Sequence, residues 1–374
     1  MRLGSVPVRL ALAYVRRLPC GVRPSMDDRL HVLDEAEHRA IRRVERNAVL
    51  GGAVIGVFSA ALGVLGSMAI EADAEGAIVV EWIDPGRDQL VASLVILVLV
   101  TLLELMLIYR LTLRAVHRMA LVAGVEPRSL RAAQCETMNS LVEAAMEIPL
   151  SRRPLLGIDP LRRGSRWLLW LAALVYKAKV AISIVILRVL LKRLLTRVLV
   201  REWLPMIGIP VTAAWDAWLC GKVLRDARLR LFGRSRAADL LARSAEARRA
   251  DPRIAEAIAR AAACAIVEKQ RVHDGLASLV LGLEPLATTA EALDDPGRLA
   301  TLLRGLDPSS AAIVHEAVLA AAVMDGRVSR GMTTCVARAL GVPVEEARSR
   351  LRVVLRDHVA GRVSIGLPPT IARA

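Results

Sequence analysis

Aromatic residues are scarce in this chain of 374: six Trp, three Tyr and two Phe make up 3% of it, although apolar residues reach 55%. The apolar content is therefore aliphatic. Cysteine is rare as well, and Cys20, Cys135, Cys220, Cys264 and Cys335 are too dispersed for the short spacing of a zinc site or a redox pair. Acidic residues fall short of basic ones, 37 against 52, which leaves a net charge of +15. This apolar level beside 24% charged residues excludes a disordered chain and a disulfide scaffold. Also missing are a Walker loop, a dinucleotide fingerprint, a HExxH zinc helix and a GxSxG elbow. The six histidines, His31, His38, His117, His273, His315 and His358, are scattered. No catalytic residue and no cofactor is assigned, and the expectation is a basic, helical, membrane-associated protein that is not an enzyme.

Long apolar runs are what the chain does have. From Ala48 to Ile70 there are 23 residues without a charge, about 34 Å of helix and enough to cross a hydrocarbon core of about 30 Å. Gly52 and Gly56 have the small-xxx-small spacing that admits a second helix, so the Gly-rich first span could also serve oligomerisation. A second run, Leu90 to Tyr109, is interrupted by Glu104 alone. Its aliphatic density offsets the roughly 2.5–3.5 kcal/mol assigned to a central acidic residue, so it too should span. Two readings of Glu104 stand side by side: a carboxylate serving protons, ions or a partner helix, or a snorkelling or protonated side chain.

The flanks give an orientation. Arg39, Arg42, Arg43 and Arg46 precede the first run and Arg110, Arg114 and Arg118 follow the second, whereas residues 71–88 between them carry six acids against Arg87. Positive flanks stay inside, so both termini are expected in the cytoplasm with a short acidic loop outside, where Trp82 would anchor at the interface. Residues 26–47 read as a helix entering the first span, and 111–150 as helical with breakers at Glu126-Pro127 and Ile148-Pro149. The stretch from Val6 to Val15 is too short for a cleaved signal, being punctuated by Pro7 and Arg9 and followed by more arginines, and Arg16, Arg17 and Pro19 argue against a lipidation site at Cys20.

From Trp167 to Leu187 an apolar run carries Lys177 and Lys179 near its centre. It is either a re-entrant, interfacial or protein-packed helix, or a third span against a cost of roughly 5–7 kcal/mol. Beyond it, Leu187, Leu191, Leu194 and Val198 form an apolar stripe opposite Arg188, Lys192, Arg193, Arg197 and Arg201. Such a helix suits an anionic inner leaflet, and equally a core-packed helix with a solvated basic face. Without interleaved aromatics or a reading motif, nucleic acid is not an expected partner. Pro205, Gly208 and Pro210 are expected to break the chain into a structural turn, with Pro210 opening the next helix, 210–232. This basic helix, the Pro-Met-Ile-Gly-Ile-Pro elbow and the small-residue helix after it resemble the EcsC family of bacterial membrane-associated proteins over residues 165–235. The resemblance implies a bacterial inner-membrane protein and brings no catalytic residues.

After Ser235 the composition turns to Ala, Leu, Glu and Arg with helical periodicity. Breakers at Asp251-Pro252, Glu284-Pro285, Asp295-Pro296, Asp307-Pro308, Asp325-Gly326 and Val342-Pro343 divide it into about six helices. The stretch from His315 to Ser329, an Ala-rich helix ending at Asp325-Gly326 with Ser329 opening the next, resembles the TerB-like fold of tellurite-resistance proteins. In that family a Glu follows the Ser by three residues, where this chain has Met332. The resemblance raises cation binding, for which Asp325 and Glu316 are weak candidates and too few for a calcium or magnesium site; a structural turn at Asp325 and Gly326 is the simpler reading. The expected layout is all-α: a basic arm and helix (1–47), a membrane hairpin (48–110), cytoplasmic helices and a linker (111–165), an EcsC-like hairpin (166–233) and a TerB-like helical domain (234–374). The function expected of it is that of a membrane-anchored adaptor whose C-terminal domain binds a protein partner. The alternative is a small transport or channel component using Glu104, Lys177 and Lys179.

Overall fold

The computed structural model describes residues 6–19, 32–76, 85–125, 132–146, 155, 158–161, 204–283 and 293–361. Trp82, Lys177, Lys179 and the basic stripe Arg188, Lys192, Arg193, Arg197 and Arg201 lie outside these residues. The protein is all-α. Among the described residues there are twelve helices and no strand, only an isolated bridge between Leu155 and Ile158. In chain order the helices are α1 (Val6–Arg17), α2 (Glu35–Gly76), α3 (Pro85–Val122), α4 (Ala132–Ala145), α5 (Leu204–Arg243), α6 (Ala245–Ala250), α7 (Pro252–Lys269), α8 (Asp274–Leu281), α9 (Pro296–Arg304), α10 (Pro308–Val323), α11 (Arg330–Leu340) and α12 (Val344–Ala360).

The chain forms two compact units. One contains residues 42–116 and 170–225, the other residues 1–41, 117–169 and 226–374. Helices α2, α3 and α5 each contribute to both. Among the described residues one helix, in the stretch Glu35–Gly66, is long and apolar enough to cross a membrane. The second expected span lies along α3, which continues unbroken from Pro85 past Arg110 to Val122.

Local chemistry sets the helix starts. Helix α2 opens with a capping box in which Asp34 Oδ1 accepts from the Glu37 amide at 2.7 Å and Glu37 Oε2 accepts from the Asp34 amide at 2.8 Å. Asp251, Asp295 and Asp307 each cap a helix whose first residue is proline, which fits there because that position needs no donor. In the larger unit α7 packs most extensively on α10, and both are alanine-rich along their buried faces, which lets the two backbones approach. Helix α10 is apolar on nearly all sides, as a central helix should be. Around this pair α8, α9, α11 and α12 close a core that includes Ile254, Ile258, Ile266, Leu276 and Leu351.

Two sequence expectations are corrected here. No turn forms at Pro205, Gly208 and Pro210, because α5 runs continuously from Leu204 to Arg243 with Pro210 inside it. Pro205 occupies the second position of the helix, where no backbone donor is required. Near Pro210 the Thr212 hydroxyl donates to the Gly208 carbonyl at 2.9 Å, giving that acceptor a side-chain partner beside the interruption. The boundary expected between 233 and 234 likewise falls inside α5, and the division between units comes at 225/226.

Candidate functional site

The smaller unit is built on a glycine seam. A Cβ on Gly56 would sit 2.8 Å from the Ala213 Cα and 2.8 Å from the Thr212 carbonyl oxygen, and one on Gly52 would sit 2.7 Å from Cys220 Sγ and 3.1 Å from the Asp216 carbonyl oxygen. Only glycine permits this approach of α2 to α5. The small-residue spacing in the first apolar run is therefore filled by a helix of the same chain. Gly63, further along α2, has open space where its Cβ would project. Outward from the seam the side chains are large and apolar: Val54, Phe58 and Leu65 on α2, Leu102 and Met106 on α3, and Trp218 on α5 are all exposed. An apolar exterior over a tightly packed interior is the arrangement a bilayer favours, because lipid removes the cost of exposing aliphatic surface.

Inside this unit two acidic side chains meet. Glu104 of α3 and Asp216 of α5 come close enough for their carboxyl groups to interact. Asp216 is only 1% exposed, and its Oδ2 has no hydrogen-bond partner. Glu104, singled out by its position in the second apolar run, is thus half of a pair. Asp216 is the one charged residue between Glu202 and Lys222, and no local spacing in the sequence links it to Glu104.

In the larger unit the turn at Asp325 behaves as its sequence suggests. Gly326 takes φ +70° and Asp325 Oδ1 accepts from the Arg327 amide at 3.1 Å. Ser329 then caps α11 by accepting from the Met332 amide at 3.0 Å. The Asp325 carboxylate also takes Lys269 Nζ on one oxygen and Arg271 Nη2 on the other at 2.6 Å. Burial alone would raise this carboxyl, but the Lys269 and Arg271 cations outweigh burial and hold it below the usual carboxylate range. Glu316, the other metal candidate, accepts a two-point contact from Arg243 at 2.6 and 2.8 Å. Both acids are committed to side-chain cations. The described residues contain no group of three or more metal-ligating side chains.

A second buried polar cluster, absent from the sequence expectations, joins α4, α5 and α8. Arg230, 2% exposed, donates to the Ser140 carbonyl and hydroxyl oxygens, each at 2.7 Å, and to Asp226 Oδ2 at 2.8 and 3.0 Å. The Ser140 hydroxyl in turn donates to Asp274. Burial raises the Asp274 carboxyl, with Arg230 and Ser140 opposing. His273 caps α8 through Nδ1, which accepts from the Gly275 amide at 3.3 Å, and burial drives its basicity well below that of free imidazole. Its Nδ1 is occupied by a backbone amide and its Nε2 has no partner, so it does not serve as a base for Ser140. The arrangement ties three elements together through Arg230, Ser140 and Asp274.

Comparison with known proteins returns no match: no family model, no curated protein and no solved structure aligns with the chain.

Proposed function

We propose that this protein is a non-enzymatic, membrane-anchored adaptor in which a helical membrane bundle holds a helical domain at the cytoplasmic face for a protein partner. The observation that carries this reading is the contrast between the two units. The smaller one presents aliphatic and tryptophan side chains outward around a glycine-packed interior. In the larger one, buried charges such as Arg230 and Asp325 are engaged by structural partners. The cationic flanks of the two apolar runs support a multi-pass topology with both termini in the cytoplasm. The resemblances to the EcsC family and the TerB-like fold support placement at a bacterial inner membrane, whose anionic leaflet would attract the basic stretch 188–201. The test places a photo-crosslinking residue, in the full chain and in intact cells, at the exposed Val344 and Val353 of α12 and at the buried Val318 of α10. One discrete adduct from an exposed position and none from Val318 is expected, and no adduct from any exposed position of the larger unit contradicts the reading.

One observation favours a second reading, a small transport or channel component: the meeting of Glu104 with Asp216. Proton or ion flux in proteoliposomes that is lost in Glu104→Gln supports it. Equal flux in the variant, or none in the wild type, removes it.

A further inference from the structure

We propose that α1 is a lipid-binding face of the larger unit, laying Arg9, Arg16 and Arg17 against the anionic headgroups of the cytoplasmic leaflet and Leu10 into the acyl boundary. The inference deepens the anchored reading above and rests on it for the position of α3 across the bilayer.

Helix α1 is divided lengthwise. It packs on α4 and buries Val8, Ala11 and Val15. On the opposite arc Arg9, Ala13, Arg16 and Arg17 follow i, i+4, i+7, i+8 and are all exposed, with Leu10 beside them at 67% exposure. The buried face fixes which side is presented outward, because turning the arginines inward would give up the packing on α4. The outward face also carries one sign of charge. From Met1 to Met26 the chain has Arg2, Arg9, Arg16, Arg17 and Arg23 and no Asp or Glu. By contrast, the solvated face of α12 mixes signs, with Arg348 paired to Glu345 and Arg350 to Glu346. A basic face with a projecting aliphatic side chain matches an anionic membrane surface, where cations meet phosphate and the aliphatic group leaves water.

The chain leaving α1 is fastened at a suitable depth. His117 Nε2 donates to the Pro19 carbonyl at 3.3 Å. On α3 His117 stands between Arg114 and Arg118, about 10 Å along the helix from Arg110. These three arginines are the flank that the charge pattern assigns to the cytoplasmic surface, so the end of α1 is tied to α3 among the cations expected at headgroup level. Within a Debye length of the leaflet, about 8–10 Å, the arginines of α1 are attracted to it. Leu10 and this attachment favour lipid over an acidic polypeptide, whose recognition would require neither.

The experiment reconstitutes the full chain in vesicles of phosphatidylcholine, alone or mixed with phosphatidylglycerol. A fluorescent noncanonical residue replaces Leu10, and a nitroxide near the lipid headgroup serves as quencher. The expected result is strong quenching at position 10 in the anionic vesicles, weaker quenching in the neutral ones, and a decline as salt is raised. Arg9→Gln and Arg17→Gln should each lower the ratio of membrane-bound to free α1 about fivefold. Arg352→Gln, which removes an exposed cation from α12, should leave that ratio unchanged. The proposal is overturned by absence of quenching in anionic vesicles, by equal quenching in both lipids, by quenching that salt does not alter, or by an equal loss in Arg352→Gln. If an arginine variant loses helix content, the salt series with all arginines present decides. Flotation of the same vesicles separates the two levels: protein that floats with both lipids and shows no quenching overturns the lipid face alone, and protein that fails to float with neutral vesicles overturns the anchor and the depth assigned to α1 with it.

Discussion

Arg230 shows how much a single side chain can hold in this protein. Its guanidinium, buried at 2% exposure, contacts Ser140 on α4 and Asp226 on its own helix, while Ser140 passes a hydrogen bond to Asp274 at the start of α8. Arg230→Met keeps most of the volume and removes the charge, which leaves Asp274 buried beside uncompensated oxygens. The expected loss is about 3–5 kcal/mol in denaturant unfolding of the full protein; a loss under 1 kcal/mol would show that the cluster is not structural. His358 makes a second prediction. It is fully enclosed, donates to the Met324 carbonyl at 3.1 Å, and burial together with Arg236 pushes its pKa down to about 3. An unfolded histidine takes its proton near pH 6.5, so between these values the unfolded chain binds more protons and stability falls as the pH drops. Stability is complete above about pH 6.5, and His358 alone accounts for about 1.4 kcal/mol of loss at pH 5.5. His273, buried and likewise depressed, adds to the same slope. Unfolding measured at pH 7 and 5.5 checks this, and His358→Gln should flatten the difference. The Asp325 carboxyl, held low by its cations, acts in a lower window: its contribution stands above the ordinary carboxylate pKa and is lost as the pH falls below it.

At the level of elements, the seam between α2 and α5 predicts an ordered response along one helix. Gly56→Ala puts a methyl against the Ala213 backbone, which has no flexible side chain to move, and should destabilise the bundle by about 1–3 kcal/mol. Gly63→Ala, facing open space, should be neutral or slightly stabilising. Thermal melts of both variants in one detergent decide it, and equal melting points would contradict the seam. Gly326→Ala carries two penalties: a left-handed backbone at φ +70° and a methyl 2.6 Å from Leu229 Cδ1. It should cost at least about 1 kcal/mol.

Much of this level was legible beforehand. Asp251, Asp295, Asp307 and Ser329 act within their own few residues, so the sequence shows them directly, and they mark helix starts where expected. Pro210 misled because the local rule that proline ends a helix is a statement about a missing donor and a steric contact, and α5 runs through that interruption with Thr212 bonded back to Gly208. Asp216 and the Arg230 cluster were hidden for a different reason. Glu104 and Asp216 are 112 residues apart, and Arg230 and Ser140 are 90 apart; periodicity reports which face a residue occupies but not which distant face it meets.

For the whole molecule, the proposed membrane anchor accounts for the long aliphatic runs and for the basic residues at their flanks. Exposed Val54, Phe58, Leu65, Leu102 and Met106 mark the smaller unit, and Arg39, Arg42, Arg43, Arg46, Arg110, Arg114 and Arg118 flank the two apolar runs. The protein should resist extraction from membranes by high salt or alkaline carbonate and be released by detergent. Release by carbonate alone would point to surface attachment through the basic stretch 188–201.

The central claim is the anchored arrangement, two spans with both termini on the cytoplasmic side, and paired topology reporters test it most directly. A reporter fused at residue 78, between the two apolar runs, is expected to be active only outside the cytoplasm, and one fused after residue 361 only within it. A cytoplasmic signal from residue 78 would contradict the account.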